Sequence, residues 1–285
     1  MTFGIRSSTA RAEQKEVAMI SNDHKVDVIV RTRNSGSSLR NCLQAAADLL
    51  PVRKFIIIDR YSKDETRQIA AEFDSIIKSE NTGLGFATKL GIESAETPNI
   101  IFLDSDVTII DANFYSESQY LLKEEGVGAV VGQARGHIFR YGLPLGLTMM
   151  PLQIARKIKF MESADSRETY YIQQFFRSNK LKVKYVNNSM LHHSEHRSDS
   201  HWPEWQGAWV RITSGLNLRE VIYSLLVVFL MLTNSRKIRN FLFIPVFQAK
   251  ILRGYIHPYY WSGKSTSARD KIMLEQTGEQ SENLL

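Results

Sequence analysis

Ile100-Ile101-Phe102-Leu103-Asp104-Ser105-Asp106-Val107 is the stretch from which the rest of the chain is read. Four successive apolar residues, Ile100 to Leu103, predict a strand buried on both faces. Asp104 and Asp106 follow where that strand should stop. In open α/β sheets ligands bind beyond the carboxyl ends of the strands, so a site is expected here. Two carboxylates one residue apart repel unless a cation lies between them. A divalent metal carrying a diphosphate would satisfy both, because hard cations take carboxylate and phosphate oxygens. The same residues also fit a polar turn, where Asp and Ser are ordinary.

The 285 residues allow one large domain, or one of conventional size with an appendage, and 43% hydrophobic against 23% charged content is a globular balance. The single cysteine, Cys42, excludes an intramolecular disulfide and suits a reducing compartment. It falls in the apolar pattern Leu39, Cys42, Leu43, Ala46, so a buried thiol is expected rather than a nucleophile. Residues 1–24 are polar and of mixed charge, which predicts a flexible arm without the apolar run of a secretory signal. The net charge of +6 is concentrated: between His201 and Lys264 eight cations face only Glu204 and Glu220. A basic excess confined to one apolar-rich segment argues against a nucleic-acid groove over the whole protein and for a membrane surface.

Val26 to Arg31 reads as a strand, followed by the turn formers Thr32-Arg33-Asn34-Ser35-Gly36. Leu39 to Leu50 has helical spacing and Pro51 ends it. Lys54 to Asp59 reads as a second buried strand that also ends in aspartate, so strand, helix and strand form a parallel crossover. Thr66 to Phe73 (helix), Ser75 to Lys78 (strand) and Ala87 to Ala95 (helix) lead to the Asp104 strand, the last helix entered through Asn81-Thr82-Gly83-Leu84-Gly85. That order is a doubly wound nucleotide-binding half. The Gly-x-Gly-x-x-Gly turn and the P-loop pattern are both missing, which disfavours dinucleotide and P-loop chemistry. Beyond Asp106 the reading is a helix over Asp111 to Glu124, a strand over Gly128 to Gly132, irregular chain to Met150, a helix over Tyr170 to Arg177 and a strand over Leu181 to Val186.

With these landmarks in place, the chain resembles the family 2 glycosyltransferases, the group that includes dolichyl-phosphate mannose synthases and many polysaccharide synthases. The likeness runs from about Val26 to His196. Val28-Ile29-Val30-Arg31-Thr32-Arg33-Asn34 is similar to the family's first strand and turn. Ile56 to Thr66 is similar to its Val-Val-Asp-Asp-Gly-Ser-Thr-Asp-Gly-Thr segment, Asn81 to Ala95 to its glycine-bearing helix entry, and Asp104-Ser105-Asp106 to its Asp-x-Asp. The resemblance implies an α/β protein of the GT-A fold, a Rossmann-like mixed sheet with helices on both faces. Its catalytic domain would span 25–200, and a basic, apolar helical appendage would occupy 201–285.

It also implies roles. Thr32 and Asn34 would lie against the nucleotide, and Asp59 would accept hydrogen bonds from base or ribose; as a plain turn residue Asp59 would cap the next helix. Asp104 and Asp106 would hold the ribose and a Mg²⁺ or Mn²⁺ that neutralises the leaving diphosphate. Lys89 stands where the family often has Asn, so it either alters the donor contacts or sits on the helix surface. The family's Glu-Asp pair is reduced to Glu168-Thr169, which leaves Glu168 as the expected general base, with Asp165 and Glu162 nearby. A solvated helix face is the plain alternative for these carboxylates. His192 and His193 follow the last strand, where relatives often place a histidine near the metal. His193 is the expected ligand, although four histidines between Leu191 and His201 also fit an exposed loop.

Trp202, Trp205 and Trp209 suggest a sugar-stacking or interfacial surface, or core packing at i, i+4. Val221 to Thr233 is almost wholly apolar but short of a bilayer span. With Phe241 to Leu252 it reads as a hairpin on the cytoplasmic face of a membrane through 216–255, or as helices packed on the domain or a second copy. The sequence therefore predicts a metal-dependent, inverting glycosyltransferase. It would move a sugar from a nucleotide-diphosphate donor to a hydroxyl or lipid-phosphate acceptor. A non-catalytic sugar-nucleotide-binding protein or a nucleotidyltransferase on the same fold are the alternatives.

Overall fold

The computed structural model describes residues 25–135, 143–193, 202–234 and 238–258. The expected arm and the later histidines, His196 and His201, lie outside the described residues. The chain divides into two compact units between His193 and Ser194, a few residues before the boundary read from sequence.

The first unit is built on one eight-stranded sheet in the order β3-β2-β1-β4-β7-β6-β8-β5. Its strands are β1 (Val26–Thr32), β2 (Val52–Asp59), β3 (Ser75–Ser79), β4 (Asn99–Asp104), β5 (Val107–Ile109), β6 (Val127–Ala134), β7 (Leu147–Pro151) and β8 (Lys182–His192). The helices between them are α1 (Gly36–Leu49), α2 (Thr66–Ala71), α3 (Leu84–Ser94), α4 (Phe114–Leu121), α5 (Leu152–Ala155) and α6 (Glu168–Ser178). β3, β2, β1 and β4 run parallel, as three right-sized crossovers require, and β7 then enters antiparallel to β4. The mixed sheet with helices between its strands is as expected, but the short strand β5 and the one-turn helix α5 were not read from the sequence. β7 falls inside the stretch read as irregular, and β8 runs six residues beyond its expected end.

Successive strand residues point to opposite faces, so each buried strand feeds two cores. Val28, Val30, Ile57, Ile101 and Leu103 pack with Leu39 and Leu43 of α1 on one face. Ile29, Ile56, Ile58, Ile100 and Phe102 pack with Ile172 and Phe176 of α6 on the other. Cys42 is buried on the α1 face, and its thiol donates to the Asp104 carbonyl at 3.4 Å. Burial pushes that thiol's pKa up, with the Asp104 and Asp106 carboxylates adding to the rise.

At the amino end of the sheet the fully buried Asp27 ties three elements together. Arg53 of β2 donates to both carboxylate oxygens at 2.8 Å, and the Glu96 and Thr97 amides donate to one of them at 2.7 and 3.1 Å. A carboxylate without solvent is stable only with such a full set of donors.

The second unit holds α7 (Trp202–Ser214), α8 (Leu218–Asn234) and α9 (Ile238–Ile256). Trp205 and Trp209 are 7% and 4% exposed and meet edge to face at 6.3 Å, so they are buried and form no open stacking surface. α7 and α9 approach until their backbones nearly touch: a Cβ on Gly207 would lie 1.9 Å from the Ile251 carbonyl oxygen, so only glycine fits. Among the described residues no helix is long and apolar enough to cross a membrane.

Asp27→Ala should lower the unfolding free energy by about 3–5 kcal/mol, because it strands the Glu96 and Thr97 amides and leaves Arg53 only its pair with the exposed Glu96. Urea denaturation followed by circular dichroism measures it, with Gln44→Ala on the exposed face of α1 as control.

Candidate active site

Strand register assembles the site. Thr32 at the end of β1 lies beside Asp59 at the end of β2, and Arg31 lies beside Asp104 at the end of β4. The turns that follow are tied to one another. Asn34, in the left-handed region at φ 49° that Asn tolerates, donates its amide to Ser62 Oγ at 2.8 Å, and its Oδ1 accepts from the Lys63 amide at 2.9 Å. Ser35 and Ser105 share a hydroxyl hydrogen bond of 2.9 Å, which joins the entry of α1 to the Asp104-Ser105-Asp106 turn.

Asp59 is fully buried and accepts from the Ser62 amide at 3.1 Å and from the Ser62 hydroxyl, with Arg67 at 3.4 Å. The Thr32 hydroxyl is buried with no hydrogen-bond partner among the described residues, a polar group left over for a ligand. Tyr61, two residues past Asp59, is 60% exposed and sits at φ 48°, a strained conformation for an aromatic residue at the rim of this site.

Glu168 reaches the same place from far along the chain. The segment before α6 is fastened to the start of α3: the Gly85 and Phe86 amides donate to the carbonyls of Ala164 and Glu162 at 2.9 and 3.1 Å. The approach is so close that a Cβ on Gly85 would stand 2.1 Å from the Met161 oxygen. Arg167 then turns through the left-handed region, and Glu168 opens α6, where the helix N-terminus favours its negative charge.

One cation links the two sides. Arg31 donates to Glu168 Oε1 at 2.7 Å, to Asp104 Oδ1 at 3.0 Å and to Thr88 Oγ1 at 3.1 Å. Burial opposes its charge, but Glu168 and then Asp104 more than offset that and hold the guanidinium protonated. Withdrawal from water holds the Asp104 carboxyl above the ordinary aspartate range, against the pull of Arg31 and with Asp106 adding to the rise.

One ligand atom each from Asp104, Asp106 and His192 lie within 4.8 Å of one another, with His192 Nε2 at 3.4 Å from Asp106 Oδ1. Two carboxylates and an imidazole are a donor set that Mn²⁺ accepts, and with fewer nitrogens preferred Mg²⁺ as well. The histidine is His192, whereas His193 was the expected one. His193 Nε2 bonds the Thr108 hydroxyl at 3.0 Å, and its amide donates to the Asp106 carbonyl at 2.8 Å. Two other expected residues are committed elsewhere. Lys89 pairs with Glu162 at 2.5 Å on an exposed face of α3, and Asp165 pairs with Arg60 at 2.7 Å. Arg31 had not been anticipated; its only signal in the sequence is a cation closing an otherwise apolar strand.

The family described as Glycosyl transferase family 2 matches residues 27–193. Over 119 residues the chain is 29% identical to the O-antigen chain rhamnosyltransferase RfbN of Salmonella typhimurium, an alignment covering 40% of this chain and 38% of that protein. The chain thus spans about two fifths of the length of this curated relative. Among solved structures, glucosyl-3-phosphoglycerate synthase from Mycobacterium tuberculosis with Mn²⁺ and UDP-glucose superposes with a TM-score of 0.56 at 17% identity, covering 72% of this chain and 83% of that one. The same enzyme with Mn²⁺, UDP and phosphoglyceric acid gives 0.56 at 17%, covering 70% and 81%. A further mycobacterial protein gives 0.57 at 16%, covering 70% and 77%. At these identities the likeness is one of fold.

Asp106→Ala and His192→Ala should each weaken Mn²⁺ binding at least about tenfold, while His193→Ala leaves it unchanged; calorimetric titration reads all three. Because Asp104 stays protonated to higher pH than an ordinary aspartate, the affinity of the unmutated protein should begin to fall, as pH is lowered, before the ordinary aspartate range is reached.

Proposed function

The chain belongs to glycosyl transferase family 2, and on that premise we propose that it transfers a sugar from a nucleoside-diphosphate donor to a hydroxyl or lipid-phosphate acceptor, with inversion at the anomeric carbon. The observation that carries the proposal is the convergence of Asp104, Asp106 and His192 at the end of β4 with Glu168 one guanidinium away. The relation to structures that hold Mn²⁺ with UDP-glucose supports it.

In this reading Thr32 Oγ1 and the Asn34 turn receive the nucleotide, and Asp59 accepts from base or ribose. Its carboxylate is already aimed by Ser62. Asp104, Asp106 and His192 would hold Mn²⁺ or Mg²⁺, which when bound supplies positive charge against the leaving diphosphate. Glu168 is the base: Arg31 fixes Oε1, and Oε2 is the oxygen assigned to the acceptor proton. The acceptor oxygen forms its bond to the anomeric carbon as the carbon–diphosphate bond breaks, and the proton passes to Glu168. Arg31 acts through others, holding Glu168 and Asp104 at a fixed separation. Lys89 and Asp165, paired with Glu162 and Arg60, serve as fasteners of the α6 segment rather than as donor contact and base. The basic excess of 201–264 supports work at the cytoplasmic face of a membrane, where anionic lipid attracts Lys and Arg.

The acceptor class is separable, because a hydroxyl must lose a proton whereas a lipid phosphate arrives ionised. Glu168→Gln should therefore reduce kcat at least about a hundredfold for a hydroxyl acceptor and spare transfer to a phosphate. A panel of radiolabelled nucleotide sugars with Mn²⁺, each run with wild type, Glu168→Gln and Asp106→Ala, provides the measurement. Donor binding without turnover would assign the chain to the non-catalytic alternative, and pyrophosphate release from a nucleoside triphosphate to nucleotidyl transfer.

A further inference from the structure

α8 carries an apolar stripe that stays exposed among the described residues of its unit. Leu218, Ile222 and Leu226 stand at i, i+4 and i+8, one face of the helix over about 12 Å. Exposure runs from 82% at the preceding Leu216 to 70%, 57% and 51% along them. Glu220, on the opposite side of the same helix, is 3% exposed, and Val221, on the flank beside Leu218, is 4% exposed. Surfaces of this kind have an occupant.

Charge decides which. The described residues of this unit contain two carboxylates, and both are withdrawn from the surface. Glu204 is largely covered and pairs with Arg253 at 3.3 Å, and Glu220 is buried. Arg219, beside Leu218, is exposed, and Arg211 stacks over the Tyr255 ring. The same face of a second copy seated on this stripe would bring Arg219 against Arg219, since no exposed carboxylate among the described residues of the unit is there to receive it. An anionic lipid surface meets both features at once, because aliphatic side chains enter the acyl boundary while arginine stems lie along it with their heads among the phosphates.

We propose that the Leu216–Leu226 face of α8 docks on an anionic bilayer. The proposal names the partner of the membrane reading given above and does not depend on the transfer chemistry.

Flotation of the full chain with vesicles tests it. The unmutated protein should partition at least about tenfold more strongly onto phosphatidylcholine vesicles containing phosphatidylglycerol than onto phosphatidylcholine alone, and high salt should erase the preference. Ile222→Glu with Leu226→Glu, both at exposed positions, should reduce binding to the anionic vesicles at least about tenfold, while Arg219→Glu reduces the anionic preference. Mn²⁺-dependent UDP binding, measured in parallel, should be the same in all variants. No flotation with anionic vesicles, or flotation of the double variant equal to wild type, overturns the proposal. So does a vesicle-free dimer that the double variant converts to monomer, which would make a second copy the occupant. Flotation without Mn²⁺-dependent binding of UDP or any other nucleoside diphosphate would leave the surface standing and remove the donor site instead.

Discussion

The Arg31 guanidinium is the interaction on which the first unit's chemistry depends. It sits almost out of solvent between Glu168, which is equally withdrawn, and Asp104, which keeps part of its surface in water, and neither Arg31 nor Glu168 could be charged there alone, since an unpaired buried charge costs several kcal/mol. Arg31 is carried by the central parallel strand, Asp104 by its neighbour and Glu168 by a helix 137 residues away in sequence. Their mutual neutralisation therefore works as a long-range registration device. Pairing of β1 with β4 brings Arg31 to Asp104, and docking of α6 then brings in Glu168, so the set of charges is complete only when sheet and helix are both in place.

The second constraint is the fastening of the 161–168 segment to α3. Two backbone hydrogen bonds, the Lys89–Glu162 and Arg60–Asp165 pairs and a glycine that admits the Met161 carbonyl hold it in place. Charged surface pairs alone contribute little. The backbone bonds and the close approach at Gly85 set the position, and the pairs select it. In this segment Glu162 and Asp165, acidic and close to Glu168 in the sequence, are each paired with a cation.

The parallel half of the fold was legible because its signals are local: Ile56–Ile58 and Ile100–Leu103 are fully apolar, and an aspartate marks each carboxyl end. That placement singled out Asp104 and Asp106 as candidates, whereas Asp59 became one only through the family resemblance; the structure sets Asp59 and Asp104 at the carboxyl ends of their strands. β7 was hidden because Leu-Thr-Met-Met-Pro has neither a β-branched run nor alternation, and its strand character comes from pairing with β4. The choice between His192 and His193 depends on strand parity. Asn188 at φ 54° breaks the period of two within β8, so counting from Val186 no longer tells which imidazole faces Asp106. Arg31 was missed because its partners are separated from it by most of the domain, and the meaning of a terminal cation lies in them.

Cys42 turns this arrangement into an instrument. It is the chain's single thiol, it lies wholly inside the α1 face, and its hydrogen bond ends on the backbone of Asp104 itself. A soluble thiol reagent can reach it only when α1 lifts from β4, so the rate of alkylation in native buffer counts the openings of that corner with no label introduced. An ion or nucleotide that binds only the closed form must slow the count by its own occupancy, so the protein carries a built-in gauge of whether its carboxylate corner is filled.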